Sequence, residues 1–257
     1  MSLDDSDVEE IDDFLNEDEF EEKYLDESEA AYYKKYKSLT AKELHDRSIE
    51  SHRDRRTLSS LSKKLGKYMV KPHQTLSNEK REELAKIVVS AGDERQIQKF
   101  LEENPFVLTG KIEPAHHGQI CIPKPDLGGS LHPDFLIAGK DSAGFWWYGV
   151  ELESPKYHMF TKAGDPTKEL SHAIRQIEDW RNWLTKNIGF ARDELGYMHI
   201  DGDLPCYVII GRRDEEILDR ETLLLRQRAV MKRDKDVLFL HHFEWLLEKK
   251  RTLVRVQ

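Results

Sequence analysis

Three carboxylates stand at the ends of the two most strand-like segments of the chain. Asp134 begins the run DFLIAG, and Glu151 and Glu153 lie at the end of the run that starts at Phe145. A charge at the rim of a buried sheet must be paired or bound to a metal. If the two runs form a hairpin, Asp134 lies beside Glu151, and strand alternation puts Glu151 and Glu153 on one face. The spacing therefore predicts a cluster of three acids.

Such a cluster favours a divalent cation. Like charges this close would force protonation unless a cation neutralises them. Oxygen-only ligands suit Mg²⁺ or Mn²⁺ rather than zinc. An ion of this kind can polarise a phosphodiester and activate a water for attack. Asp134, Glu151 and Glu153 are thus candidate metal ligands, and phosphodiester hydrolysis is the chemistry that they indicate.

Further candidates lie on the helix and the strand that follow. His172, Gln176 and Trp180 occur at four-residue steps and share one edge of the best predicted helix. Gln176 could position a water or a phosphate, or cap a backbone group. Trp180 could stack on a DNA base, although the apolar stripe beside it favours a core position. Arg212 and Arg213 follow a predicted strand end, where they could bind phosphate or form a solvated pair.

The elements that would position these residues form an α/β domain from residue 93 onward. A helix is predicted over DERQIQKFLEENP, stopped by Pro105, and another over 168–187. Apolar runs predict strands at 119–122, 134–139, 145–152 and 206–212. A further helix and strand complete the order helix, three strands, helix, strand, helix, strand. This order predicts a mixed central sheet flanked by helices.

Composition excludes several classes of protein. The chain has 257 residues, 38% of them apolar, and its two cysteines form no CxxC pair, which argues against a disulfide framework or a cysteine zinc site. No apolar run reaches the roughly 20 residues that span a bilayer, and the first residues are acidic rather than signal-like. These features predict a cytoplasmic protein without a membrane partner. Neither a phosphate-binding glycine-rich loop nor a Ser/His/Asp arrangement can be recognised in the sequence.

Charge divides the part of the chain that precedes this domain. Residues 1–30 carry fifteen Asp and Glu against Lys23 alone, and residues 31–80 carry thirteen Lys and Arg against five acids. We therefore predict an acidic, disordered tail (1–30), a basic helical segment (31–92) and a catalytic domain (93–257). The tail is either a solvated extension or an arm that covers a basic groove of its own or a neighbouring subunit. The basic segment is either a solvated helical surface or a surface for nucleic acid, with interleaved tyrosines for stacking.

The ordered motifs resemble those of a known nuclease superfamily. Pro133-Asp134 and the triplet at 151–153 resemble the PD-(D/E)xK signature, and Gln176 with Trp180 resembles a glutamine–aromatic pair on the following helix. More narrowly, ERQIQKFLEENP, PDFLI, VELESP, HAIRQIEDW and VIIGRR, in that order, resemble the nuclease domain of the Shedu family of bacterial anti-phage defence proteins. The resemblance implies a restriction-endonuclease-like fold, Mg²⁺- or Mn²⁺-dependent cleavage of DNA, and a homo-oligomer.

One position departs from the superfamily pattern. Glu153 stands where the superfamily has lysine. Glu153 could bind a second metal or act as general base, or Lys156 could swing back into the site from beyond Pro155. A third interpretation is a degenerate site that binds DNA or serves as an interaction scaffold without cleaving. Glu94, on the helix before the sheet, is either an additional metal-linked acid or an ordinary first-turn acid.

Overall fold

The computed structural model describes residues 64–71, 74–112, 118–129, 131–141, 144–213, 216–235 and 237–248. The predictions for the acidic tail (1–30), for the basic segment as far as residue 63, and for a contact between the tail and a basic surface lie outside the described residues.

A six-stranded mixed sheet forms the centre of the described part, with its strands arranged in chain order. The strands are β1 Met69–Val70, β2 Gln119–Pro123, β3 Phe135–Asp141, β4 Gly144–Leu152, β5 Cys206–Ile209 and β6 Leu238–His241. Strands β1 to β4 pair antiparallel, whereas β4, β5 and β6 pair parallel. The predicted α/β class and mixed sheet are confirmed, and the predicted hairpin is β3–β4.

Six helices accompany the sheet in the described part. They are α1 Asn78–Ser90, α2 Arg95–Glu103, α3 Phe106–Ile112, α4 Lys168–Asp193, α5 Arg220–Arg233 and α6 Glu244–Leu247; a short 3-10 helix, Gly66–Tyr68, precedes β1. Helix α3 was not predicted from the sequence. Helix α4 continues past the predicted end, and Asn187, with φ −124° and ψ 27°, marks a kink at that position.

Two hydrophobic cores lie on opposite sides of the sheet because successive strand side chains alternate. On β4, Trp147 belongs to the core built with α4 and α5, and Trp146 to the core built with α1, α2, α3 and α6. We call these sides the α4 face and the α1 face. Every residue of β4 is buried, as expected for a strand with neighbours on both edges and helices on both faces.

Local signals explain where helices α1 and α4 begin. Ser77 accepts a hydrogen bond from the Lys80 amide at the start of α1, and Thr167 accepts one from the Leu170 amide at the start of α4. Leu84 of α1 is fully buried in the core of the α1 face. The packing thus extends upstream of residue 93, the predicted start of the domain.

Among the described helices, none is both long enough and apolar enough to cross a bilayer.

Candidate active site

The register of β3 and β4 brings Asp134 and Glu151 to the same end of the hairpin. Phe135 pairs with Val150, so the next position outward joins Asp134 and Glu151. One carboxylate oxygen of Asp134, Oδ2, accepts a hydrogen bond of 2.8 Å from the Leu152 amide. This bond fixes the Asp134 carboxylate against the end of β4, between the two glutamates of the acidic triplet.

Glu151 and Gln176 meet on the α4 face. Val150 and Leu152 belong to the core of the α1 face, so alternation directs Glu151 towards α4, which carries Gln176. Glu151 is 7% exposed, and the Gln176 amide is close enough to favour its ionised form. Oε2 of Glu151 and Oε1 of Gln176 are buried, and neither has a hydrogen-bond partner among the described residues. Two buried acceptors without donors are unfavourable, and a cation would satisfy both.

The acids raise one another's pKa values. Burial raises the pKa of Asp134 to about 6, and the nearby charge of Glu94 contributes in the same direction. Burial, followed by the charges of Asp134 and Glu153, raises the pKa of Glu151 well above its ordinary value. Burial and the charges of Glu94 and Asp134 raise the pKa of Glu153 to about 7. Four acids therefore share one electrostatic environment and are costly to ionise together.

Glu94 is the fourth acid of this group, and the sequence left open whether it belongs to the site or is an ordinary first-turn acid. It occupies the N-cap position of α2 but makes no capping hydrogen bond with its side chain, and its charge acts on Asp134 and Glu153. Its place just before the helix that precedes the sheet was the available signal, and that signal did not separate a helix-capping acid from an acid of the site.

The donor set fits an oxygen-preferring divalent ion by its chemistry. Three carboxylates and an amide oxygen are ligands that Mg²⁺ and Mn²⁺ accept, and the two unpartnered oxygens of Glu151 and Gln176 lie among them. As the side chains stand, no three His, Cys, Asp or Glu residues of the described ranges are grouped so that they could hold an ion. Metal binding therefore stays a proposal that rests on the chemistry of the donors and on their mutual repulsion.

The structure does not bring Lys156 to these acids. The Nζ atom of Lys156 lies 3.7 Å from the position that a Cβ on Gly92 would occupy. The pKa of Asp93 is lowered mainly by its hydrogen bonds with Arg95 and to a lesser extent by the charge of Lys156. The lysine beside the cluster is instead Lys124, whose charge lowers the pKa of Asp134, against the larger opposing effect of burial. No sequence motif predicted that Lys124 lies near the acids.

The expectation that Trp180 stacks on a DNA base is corrected by its burial. Trp180 is 1% exposed and belongs to the core of the α4 face. Its ring lies against the sheet at Gly149. A Cβ atom added to that glycine would be 3.5 Å from the ring. The indole therefore has no surface on which a base could stack, and the apolar stripe of α4 accounts for its position.

His172, Arg212 and Arg213 differ in their relation to the acids. Nδ1 of His172 lies 3.8 Å from Oε1 of Glu153, so this helix edge does reach the cluster. Arg212 donates a hydrogen bond of 3.2 Å to the carbonyl of Val89 in α1. Arg213 bonds the Glu248 carboxylate at 2.9 Å, just beyond α6. The two arginines thus contact other helices, and their binding of DNA phosphates stays a prediction.

The loop that follows the acidic triplet is held against the ends of β5 and β6. The Glu153 amide donates to the Ile209 carbonyl at 2.9 Å. Farther along the loop, the Met159 amide donates to Oε1 of Glu216, which also contacts Nε2 of His242 at 3.0 Å. Burial raises the pKa of Glu216, but these two hydrogen bonds outweigh it and hold the pKa below its ordinary value. The triplet is therefore tied to the carboxyl ends of all three parallel strands.

A comparison with protein families decides to which family this arrangement belongs. The family model described as Shedu protein SduA, C-terminal, matches residues 91–239. The chain belongs to the Shedu family. The matched residues run from just before α2 to the first half of β6 and include all four acids of the site. Membership in the Shedu family indicates a role in anti-phage defence. Among curated proteins, none matches the chain.

Proposed function

We propose that this Shedu domain is a metal-dependent DNA endonuclease with a restriction-endonuclease-like fold, a member of the PD-(D/E)xK superfamily that cleaves phage or other foreign DNA. The observation that carries the proposal is the convergence of Asp134, Glu151 and Glu153 at one end of β3 and β4, with pKa values raised by burial and mutual repulsion. Such an arrangement is costly for a structural role, whereas a phosphodiesterase needs it.

Each residue of the site has a proposed part in the reaction. Asp134, Glu151 and Glu153 would hold Mg²⁺ or Mn²⁺, and the bound ion would polarise the phosphodiester and lower the pKa of a water. The Asp134 carboxylate is oriented by the Leu152 amide. Gln176 would accept a hydrogen bond from the attacking water through its Oε1, for which the described residues supply no donor. The DNA backbone would approach along the side of the sheet that presents these groups, and a homo-oligomer would present more than one such site.

The proposal is tested by cleavage of supercoiled and linear plasmid with the purified full-length chain. We expect nicked or linear products with Mg²⁺ or Mn²⁺ and none in EDTA, because the acids repel a phosphate unless a cation lies between them. Glu178→Gln is a matched control, since Glu178 is an exposed acid on α4 away from the cluster, and this variant should cleave like the wild type. Cleavage that persists in EDTA would contradict the metal requirement.

A second candidate function is a DNA-binding module that has lost catalysis. The observation that favours it is the glutamate at position 153, where the superfamily has lysine. The two functions differ in the response to Glu153→Lys. A wild type that binds DNA without cutting it, together with a Glu153→Lys variant that cuts, would identify a site disabled by this one residue.

The acidic tail supplies a prediction about regulation. Residues 1–30 carry fifteen acids and one lysine, and an arm of that charge would compete with DNA for basic surface. Deletion of residues 1–30 is therefore expected to strengthen DNA binding at low salt, with a smaller difference at high salt. Equal affinities of the deleted and the full-length chain at matched salt would reject an inhibitory role for the tail.

A further inference from the structure

Lys124 lies at the end of β2, in line with the acids of the site. Pro123, the last residue of β2, pairs with Phe135, and the Lys124 amide donates a hydrogen bond of 2.9 Å to the carbonyl of Asp134. Asp134 in turn lies next to Glu151 across the β3–β4 pair. Neighbouring strands are about 4.8 Å apart. A lysine and two acids therefore lie side by side at the same end of three neighbouring strands, β2, β3 and β4.

The backbone of Lys124 adopts a conformation that is unfavourable for a lysine. Its φ is +44°, in the left-handed region that glycine adopts readily and lysine rarely. Pro123 and Pro125 flank it, and a residue before proline is normally extended. A conformation of this kind costs on the order of 1–3 kcal/mol and is commonly retained at functional sites. The chain therefore has a lysine at a position where a glycine would relieve the strain.

The Lys124 side chain is available to a ligand. It is exposed, and within the described ranges it forms no salt bridge. Its charge nevertheless reaches Asp134. An ammonium on a flexible stem, close to a cluster of acids but not bonded to them, is arranged to meet an anion that those acids hold through a cation.

We infer that Lys124 is a catalytic residue that supplies, from the neighbouring strand, the ammonium that the triplet at 151–153 lacks. This inference rests on the proposed nuclease function. In that reaction the Lys124 ammonium donates a hydrogen bond to a non-bridging oxygen of the scissile phosphate and stabilises the negative charge that develops there. It takes no proton from the water, so that task is left to the carboxylates. Glu153 is then free to bind the ion, and the glutamate at that position does not disable the site.

The experiment compares Lys124→Ala and Lys124→Arg with Lys156→Ala as the matched control, all in the full-length chain. Lys124→Ala should lower the single-turnover cleavage rate by about 10²-fold or more, and Lys124→Arg should retain part of the rate because the positive charge remains. DNA binding without divalent ion should change by no more than one phosphate contact, a change of about 1 in the salt slope. Lys156→Ala should behave like the wild type, because its ammonium lies beside Gly92.

Two further measurements distinguish this role from a structural one. The Mn²⁺ concentration that gives half of the maximal rise in melting temperature should be unchanged or lower in Lys124→Ala, since a positive charge near the ion is removed. Adding Glu153→Lys to Lys124→Ala should restore at least part of the lost rate. A wild-type rate in Lys124→Ala would overturn the inference, and so would weaker Mn²⁺ binding in that variant or no recovery in the double variant. A wild type that does not cleave at all would instead reject the proposed function, and the role of Lys124 with it.

Discussion

Replacing Glu151 by glutamine is expected to abolish DNA cleavage and, at the same time, to raise the melting temperature of the metal-free protein. Glu151 is a central carboxylate of the cluster, and its buried Oε2 has no hydrogen-bond partner within the described part of the chain. Loss of a metal ligand should lower the cleavage rate by about 10³-fold or more. Glutamine also replaces a carboxyl group whose ionisation is disfavoured by burial and by the charges of Asp134 and Glu153, so stability and activity should change in opposite directions, as expected for a site under electrostatic strain.

The raised pKa values of the acids determine how the free energy of unfolding changes with pH. The folded protein holds the Asp134 and Glu153 pKa values at about 6 and about 7, above their ordinary 3.8 and 4.5. It therefore binds more protons than the unfolded chain between these limits, and its free energy of unfolding falls as pH rises from about 4 to about 7. In Glu151→Gln this fall should be smaller, because burial and the charges of Asp134 and Glu153 raise the pKa of Glu151 as well, and glutamine has no such proton to lose.

Thermal melting in EDTA at pH 5 and pH 8 measures the effect, with Glu178→Gln as the control acid. A gain of about 1 kcal/mol would raise the melting temperature of a domain of this size by about 2–4 °C, and the gain should be larger at pH 8. Mg²⁺ should stabilise the wild type at pH 8 and stabilise Glu151→Gln less. Equal melting temperatures of wild type and Glu151→Gln at both pH values, with no effect of Mg²⁺, would contradict a strained metal site.

The acid cluster was predictable because it depends on strand periodicity and on one short hairpin. The apolar runs at 134–139 and 145–152 and the turn between them fix the register to within a residue, and that register brings Asp134 beside Glu151. The mixed sheet followed from the order of elements for the same reason: each strand or helix carried its own local pattern. Helix α3 escaped prediction because it follows Pro105 directly and has only seven residues, too few for a helical period to show.

The parts of the site that were missed or left open depend on contacts between residues distant in the chain. Lys124 lies between two prolines in a stretch without a strand or helix pattern, and only the β2–β3 pairing brings it to Asp134. Glu94 reaches the acids through the packing of α2 against the sheet. Trp180 was ambiguous for another reason: an aromatic residue beside an apolar stripe is compatible with both a core and a surface position until the packing of the helix is known.

The second large effect is expected at Arg181, a residue to which the sequence assigned no role. Its guanidinium connects α4 to the segments that flank β5 and β6. Nε donates to the Leu204 carbonyl at 2.8 Å, Nη2 to the Val237 carbonyl at 2.9 Å, and Nη1 to Oδ2 of Asp234 at 2.6 Å. The Arg181 side chain is 13% exposed and that of Asp234 is 26% exposed. Three acceptors from different parts of the chain thus accept hydrogen bonds from one cation, and the Val237 carbonyl also accepts one from the Cys206 amide.

Arg181→Met should lower the free energy of unfolding by about 3 kcal/mol, because it leaves the partly buried Asp234 carboxylate without its cation and removes one donor from each of two carbonyls. Chemical denaturation of the full-length chain measures this change. Arg175→Met is the matched control, since Arg175 is an exposed residue on the same helix and its loss should cost well under 1 kcal/mol. A double variant, Arg181→Met with Asp234→Leu, should recover part of the loss, because it removes the stranded charge as well.

The same substitution connects the stability of the fold to the geometry of the site. Helix α4 carries Gln176 and His172, and Arg181 fixes that helix against the segments that precede β5 and β6. Loosening this connection should move Gln176 relative to Glu151, so the cleavage rate of the remaining folded Arg181→Met protein should fall although no atom of the acid cluster has changed. A folded Arg181→Met protein with the wild-type rate would show that the β3–β4 hairpin alone positions the acids, and that α4 contributes stability but no alignment.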